Sequence, residues 1–565
     1  MESYPETVLF VGAGATQSLA MPPTSEQAKF LWYICDTDTL SAEKIEEAAA
    51  CFKGRGRDVC LMVFVLDGDT DGNGLINLDD ARWQRAFPCV SREDLARLIP
   101  RLRRRYDWGA LKLIAKAKKG GCVGASVRDD YLQEVFTMMD VCMRDGRGLE
   151  VFDGKEMVFL SVERVRAAHE ALVLLINTMF ACAWQWLLRD AREKLKRYRQ
   201  FFHSLAVLMQ DEARRLGQRE DAIDKRRFYQ FSYSLVTTNF EPVFLWLIWN
   251  AHDKVNHGLE TRIGNPGRLL KLLMNFPNSV GMRKPADKEG DPLSPDIWFP
   301  CTEAVAQNVN NPKYSDNRIF RLGMYYPVHG MSTTRHCPKC GRLNLYLGDT
   351  WNENSETLFP NGIINPFNWG QKPRTSKERA AHGRGEYDAL ECHFCGELTY
   401  AYDNFMFMQT QLKRLPPSFI KETTDDALAV ISKARHVVLL GYSMPLDDAI
   451  WGSLLTMASR RKNGEAVFCS VVATYDPGGP DEWLYGKKLD DYLTEKGKLT
   501  ADREKVRAIK NAVSVFGKEN VRAYVRGIPD VFGEGTVDNV RNLLYPHNQS
   551  GWNIPEFTCH GVSRT

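Results

Sequence analysis

The sequence predicts an α/β fold: a parallel sheet with helices on both faces, a small four-cysteine lobe and an inserted helical domain. Three observations lead there. Thr7-Val-Leu-Phe-Val11 is a short apolar run that passes directly into Gly12-Ala13-Gly14-Ala15-Thr16. Strand, glycine turn and helix start, in that order, are how a doubly wound sheet offers backbone N–H groups to a phosphate. Position 17 is Gln, so the fuller GxGxxG pattern is incomplete, and the turn by itself is a weak sign. Secondly, later apolar runs also end in polar residues: Ser234-Leu-Val-Thr-Thr238-Asn239, His436-Val-Val-Leu-Leu-Gly441-Tyr-Ser443 and Val471-Val-Ala-Thr-Tyr-Asp476. Ligands of an open parallel sheet sit beyond the carboxyl ends of its strands, so these clusters predict one shared nucleotide site. Thirdly, the cysteines are paired.

Cys337-Pro-Lys-Cys340-Gly and Cys392-His-Phe-Cys395-Gly follow the pair His329-Gly330. Two CxxC knuckles, each closed by glycine, are the sequence form of a four-thiolate zinc site. Four thiolates leave no open coordination position, so the predicted Zn2+ is structural.

The individuality of the chain lies between its first strand and Asn239. Asp94-Leu-Ala-Arg-Leu-Ile-Pro-Arg-Leu102 and the stretch from Val165 to Arg199 carry helical periodicity. The expected division is a first βα unit at 1–35, a helical insertion at 36–160, and a continuation of the sheet domain at 161–335. A zinc-ribbon lobe at 336–400, the rest of the sheet domain at 401–545 and a tail at 546–565 complete it. Residues 254–320 are rich in Asn, Pro and Gly and read as loops over the pocket, and 350–390, between the knuckles, is polar and irregular, an elaboration of the zinc lobe.

Inside the insertion stands Asp69-Thr-Asp71-Gly-Asn73-Gly74-Leu75-Ile-Asn77-Leu-Asp-Asp80. With Asp69 as position 1, oxygen ligands fall at 1, 3 and 5 and glycine at 6. The Leu75 carbonyl is at 7 and Asp80 at 12, which is the EF-hand loop with Asp in place of the bidentate Glu. Two readings stand: a Ca2+ clip of modest affinity at which Mg2+ competes, or a polar loop with no ion. Arg101 to Arg105 and Lys112 to Lys119 form a basic run, read as a solvated helix face with direct nucleic-acid binding disfavoured.

Composition agrees with a globular enzyme. Of 565 residues, 44% are hydrophobic and 26% charged, and the net charge of +3 is too small to announce a nucleic-acid binder. Ten cysteines beyond the four form no short disulfide framework, and the acidic start Met1-Glu-Ser-Tyr-Pro-Glu6 is no secretory signal, so a cytoplasmic location is expected. Ala171 to Leu188 is the most membrane-like segment; Asn177, Thr178 and Gln185 within it favour a buried core helix and no membrane association.

Taken in order, the glycine turn at Gly12, the Thr238-Asn239 strand end, His329-Gly330, the two knuckles and Gly441-Tyr-Ser443 resemble the sirtuin family over nearly the whole chain. The resemblance implies a Rossmann-like NAD+ domain, a zinc-ribbon lobe and cleavage of the nicotinamide–ribose bond. Asn239 would position the ribose or a water, and His329 would act as general base. Gly12, Ala13, Gly14, Ala15 and Thr16 would cradle the pyrophosphate, with Thr238, Gly441 and Ser443 nearby. Asp476 would hold the adenosine ribose, or else simply initiate an Asp-Pro turn. The chain departs from the family at Leu19-Ala-Met-Pro-Pro-Thr-Ser-Glu26, where a Phe-Arg pair is missing, and at Thr238-Asn239-Phe240-Glu241. These variants look like the sirtuin-like domains of bacterial anti-phage defence proteins, which hydrolyse NAD+. The expected function is therefore NAD+ glycohydrolase, with lysine deacylase and non-catalytic NAD+ or ADP-ribose sensing as alternatives. Control by homo-oligomer assembly or by a partner protein is expected on physiological grounds.

Overall fold

The computed structural model describes residues 7–36, 63, 92–120, 131–217, 230–258, 262–263, 267–275, 279–281, 318–345, 373, 375–386, 388–392, 394–406, 417–444, 449–459, 466–473, 475–496 and 503–546. The first strands in chain order are β1 (Thr7–Val11), β2 (Leu149–Phe152), β3 (Met157–Leu160), β4 (Gln230–Thr237), β5 (Arg262–Ile263), β6 (Arg268–Asn275), β7 (Ser279–Gly281) and β8 (Arg318–Pro327). They are followed by β9 (Gly330–His336), β10 (Leu343–Leu345), β11 (Leu390–Glu391), β12 (Leu398–Thr399), β13 (Asn404–Met406), β14 (His436–Leu440), β15 (Phe468–Val472) and β16 (Val521–Ala523).

Eight of these build the central sheet, in the order β16-β15-β14-β1-β4-β8-β6-β5. Every neighbouring pair is parallel except the short β5–β6 edge. The fold is thus α/β and Rossmann-like. Alternation along the strands makes it two-sided: Leu9 and Val11 of β1 join one core, and Val8 and Phe10 join the other. Helices Leu195–Gly217, Val243–His257 and Val537–Leu544 cover the first face, and Ser418–Lys433, Ala449–Ser459 and Arg503–Phe516 cover the second. The chain leaves β1 toward β4 on one side and returns to β14 on the other. In open α/β sheets the crevice at such a reversal, here beyond the carboxyl ends of β1 and β14, is where ligands sit.

Helices Arg92–Arg105, Trp108–Gly120 and Tyr131–Asp145 occupy the span expected as the insertion. Their buried side chains, among them Leu111, Ile114 and Phe136, run without a break into the core around helix Val162–Asp190. Ser161 caps that long helix by accepting from the Arg164 N–H. Its length and apolarity would suffice to cross a membrane, yet 78% of its most apolar window is buried within the protein. It is a core helix.

Two expectations are corrected. Composition predicts loops over 254–320, but Arg268-Leu-Leu-Lys-Leu-Leu-Met-Asn275 is β6, a full strand beside β8, and the stretch 350–390 expected to be irregular contains helix Ser376–Gly383. Asn, Pro and Gly in the stretch around β6 mask its short apolar run when composition is read over a long window. Residues 69–80, the candidate calcium loop, and the tail from 547 lie outside the described residues.

At the amino ends of the strands a buried polar row closes the sheet. The Thr7 hydroxyl donates to the Leu544 carbonyl at 2.7 Å, and His436 Nδ1 lies 3.2 Å from the same oxygen. Arg522 donates to the Asn542 carbonyl at 2.6 Å. The last turn of helix Val537–Leu544 has no helical partners for these carbonyls, so the sheet supplies them.

A second sheet, β13-β9-β10-β7, and the β11–β12 hairpin form the four-cysteine lobe. Helix Ser376–Gly383 sits between the knuckles, held by a Thr375–Glu378 capping box.

Candidate functional site

The exits of four strands are level. Val11 pairs with Leu440 and with Thr237, and Thr237 with Pro327. Hydrogen bonds continue past the strand ends: Gly12 N–H to the Leu440 carbonyl at 3.0 Å, Thr238 N–H to Val11 at 3.1 Å, and Val328 N–H to Thr237 at 3.1 Å. The segments after β1, β4, β8 and β14 are therefore brought to one place.

The two glycine turns meet backbone to backbone. Gly14 N–H donates to the Gly441 carbonyl at 3.0 Å. Gly441 has φ +65, and a Cβ there would fall 1.9 Å from the Ala15 nitrogen, so no other residue fits. Much of the glycine requirement is thus met by the chain's own close approach. Ala13 and Gly14 are exposed at the mouth, while Ala15 and Thr16 are buried. Beyond Gly441, Tyr442 packs on Phe10 at 4.5 Å between centroids, and Met444 takes a positive φ of 51. Ser443 is half-buried, and its carbonyl accepts from Asn511 at 3.4 Å.

Behind the turns lies a buried polar cluster. Glu241 Oε1 accepts from the Thr16 hydroxyl at 2.6 Å and from Asn239 Nδ2 at 2.8 Å, and its Oε2 accepts from the Val243 N–H at 3.1 Å. Glu241 is 3% exposed and Asn239 6%. Burial pushes the Glu241 carboxyl up to about 7 against the lowering effect of its three donors. Asn239 Oδ1 is buried and has no partner among the described residues. The backbone N–H of Asn239 is held by Thr237 Oγ1 at 3.0 Å.

His329 follows β8 by two residues and is buried, with its ring stacked on Phe240 at 6.1 Å. Gly330 behind it takes φ +79, and a Cβ there would meet the Phe405 carbonyl at 2.2 Å. His329 is therefore clamped between the strand that leads into the site and the strand that leads into the cysteine lobe. The Ser332 N–H donates to the Phe240 carbonyl at 2.8 Å, which joins that lobe to the Asn239 loop.

Asp476 lies four residues past the end of β15, buried. Its Oδ2 is 3.1 Å from both the Tyr492 hydroxyl and Lys496 Nζ, both on helix Gly486–Lys496. These bonds tie the carboxylate to that helix.

The four cysteines converge. Their sulfurs lie within 4.8 Å of one another, with Cys337 and Cys395 at 3.5 Å and Cys340 and Cys392 at 3.8 Å. A tetrahedron with Zn–S bonds of about 2.3 Å has edges of about 3.8 Å, so the cluster fits a metal ion such as zinc. Each knuckle closes alike: Gly341 N–H donates to the Cys337 carbonyl and Gly396 N–H to that of Cys392, both glycines left-handed. Burial pushes the Cys337 thiol up to about 12, and a bound cation is what would let buried thiols ionise together.

Sequence reasoning named the Thr238-Asn239-Phe240-Glu241 segment but gave Glu241 no role. Its meaning rests on Thr16, 225 positions away in the chain. The one local signal was a carboxylate two residues past a strand-end Asn, immediately before Pro242 and the apolar helix Val243–His257. No protein-family model matches this chain, and no curated protein does so either.

Proposed function

We propose that the chain is an NAD+ glycohydrolase of sirtuin-like type, releasing nicotinamide and ADP-ribose. The observation that carries this reading is a buried Asn, its Oδ1 without a partner among the described residues, just past the carboxyl end of β4 in a doubly wound sheet and on the same loop as the ring that His329 stacks on. Breaking the N-glycosidic bond sends its electron pair to nicotinamide and leaves an oxocarbenium-like ribose. Water adds its oxygen to that carbon and gives up a proton. The enzyme must hold the ribose, keep out bulk water and steer one nucleophile. In this reading Asn239 holds the ribose hydroxyl or the water, and His329 takes the proton. The exposed Ala13-Gly14 edge receives the pyrophosphate with Thr16, Thr238 and Ser443 close by, and Asp476 acts at most through the helix it anchors.

Zn2+ is the proposed ion of the four cysteines, in a structural role. Ca2+ at Asp69, Asp71, Asn73, Leu75 and Asp80 is a separate proposal, tested by calorimetric titration of the protein with CaCl2. An NAD+-depleting enzyme needs restraint, which fits an effector of anti-phage defence released by assembly or by a partner protein.

The test is nicotinamide release from NAD+ by the purified protein without acyl peptide, beside Asn239→Ala and His329→Ala. Release that disappears in both variants supports the reading. A lysine deacylase is the second reading, favoured by the bond between Ser332 and Phe240 that seats the cysteine lobe on the site loop. Release that depends on acetylated peptide selects it. Binding of NAD+ with no release in any state selects a sensing module.

A further inference from the structure

Glu241 is a buried carboxylate at the site that the reaction above does not use. An ionised carboxylate only accepts hydrogen bonds, so Asn239 must offer it Nδ2 and turn Oδ1 away. Protonation preserves this arrangement. A proton on Oε1 can point to Thr16 Oγ1, whose own hydrogen then reaches the Ala13 carbonyl at 3.4 Å, and Oε1 still accepts from Nδ2. Asn239 Oδ1 is buried without a partner among the described residues, a position that loses free energy until a donor arrives.

We propose that Glu241 is a positioning residue: it holds the Asn239 amide so that an acceptor faces the crevice, and thereby selects a ligand that brings a ribose hydroxyl there. The proposal rests on the NAD+ reading. Its mark is what Gln would do in the same place. The Val243 N–H requires an oxygen opposite it. A Gln that satisfies it turns Nε2 toward Asn239, which then flips and presents Nδ2 to the crevice. A site that selected a hydroxyl hydrogen would no longer do so.

Dissociation constants would be measured for NAD+ and for analogues carrying fluorine in place of the 2′- or 3′-hydroxyl of the nicotinamide ribose. The unmodified protein should prefer NAD+ over one of them by about tenfold. Glu241→Asp, which keeps an acceptor-only carboxylate, should retain the preference, and Glu241→Gln should lose it. An unchanged preference in Glu241→Gln overturns the proposal and leaves the NAD+ reading standing. If the unmodified protein binds no NAD+ in any state, that reading fails instead, and the clamp is judged without ligand. Urea unfolding of Asn239→Ala, Glu241→Gln and the double variant should then show the two side chains to be energetically coupled. Additive effects overturn the clamp.

Discussion

Replacing Glu241 by Gln has a stability consequence whose size follows from the site. The carboxyl ordinarily titrates near 4.5 and is raised to about 7 in the folded protein, chiefly by burial. Between those values the folded state binds more protons than the unfolded state, so stability falls as pH rises. The interval of about 2.5 pH units at 1.36 kcal/mol each amounts to about 3 kcal/mol. Below pH 4.5 the penalty is absent, and above pH 7 it is complete. Gln is neutral, as the protonated carboxyl is, and carries none of it. Thermal and urea unfolding of both proteins from pH 4.5 to 8 would be compared, taking the difference between them so that groups common to both cancel. The difference should grow by about 3 kcal/mol in favour of Glu241→Gln as pH rises. A flat difference would refute the argument, for it would mean that the three donors to the carboxylate outweigh its desolvation.

Other outcomes follow from the same geometry. Asn239→Ala and His329→Ala should each lower nicotinamide release by about 100-fold or more while the melting temperature at pH 5 stays close to that of the unmodified protein, checked by a single-turnover assay beside calorimetry. Cys340→Ser should reduce the metal content of purified protein from one zinc equivalent, read by atomic emission, and a strong chelator should lower the melting temperature of the unmodified protein but not of the variant. Gly441→Ala should cost at least about 2 kcal/mol in urea unfolding, because its Cβ would be driven into the Ala15 nitrogen. Lys496→Ala should destabilise by about 1–2 kcal/mol, since the Asp476 carboxylate stays buried after losing its cation.

Much of the architecture was legible in local pattern. Thr7–Val11, His436–Leu440 and the strand ending before Thr238 are short apolar runs followed by glycine or polar residues, and each became a parallel strand of the central sheet. The cysteine cluster was legible because CxxC-Gly spacing fixes each half by itself, leaving only the meeting of the halves to the fold. What escaped depends on pairing between distant segments. Arg268–Asn275 is a strand because β8 lies beside it, while its neighbours in sequence argue for loops. His329 reads as a turn residue until β8 is seen to end two residues before it. Glu241 is silent in the sequence, since its Thr16 partner is brought to it only by the pairing of β1 with β4. Asp476 could be read either way from its Asp-Pro context, and the partner that engages it, Lys496, lies on a helix whose placement no local rule supplies.

The polar row beneath the sheet has a bearing on how the chain is made. Among the described strands β1 leaves the ribosome before the others, yet it is a central strand, flanked by β4 and by β14. Thr7 finds the Leu544 carbonyl 537 positions later. β1 must therefore wait, apolar, for β4 to cover one edge, for β14 to cover the other and for Leu544 to complete its surroundings. Long-range pairing of this kind is slow and exposes strand edges to the wrong partners. Helix Val537–Leu544 is then the closing piece. A ribosome stalled shortly before it would hold a sheet whose first strand had both neighbours but whose floor was still missing.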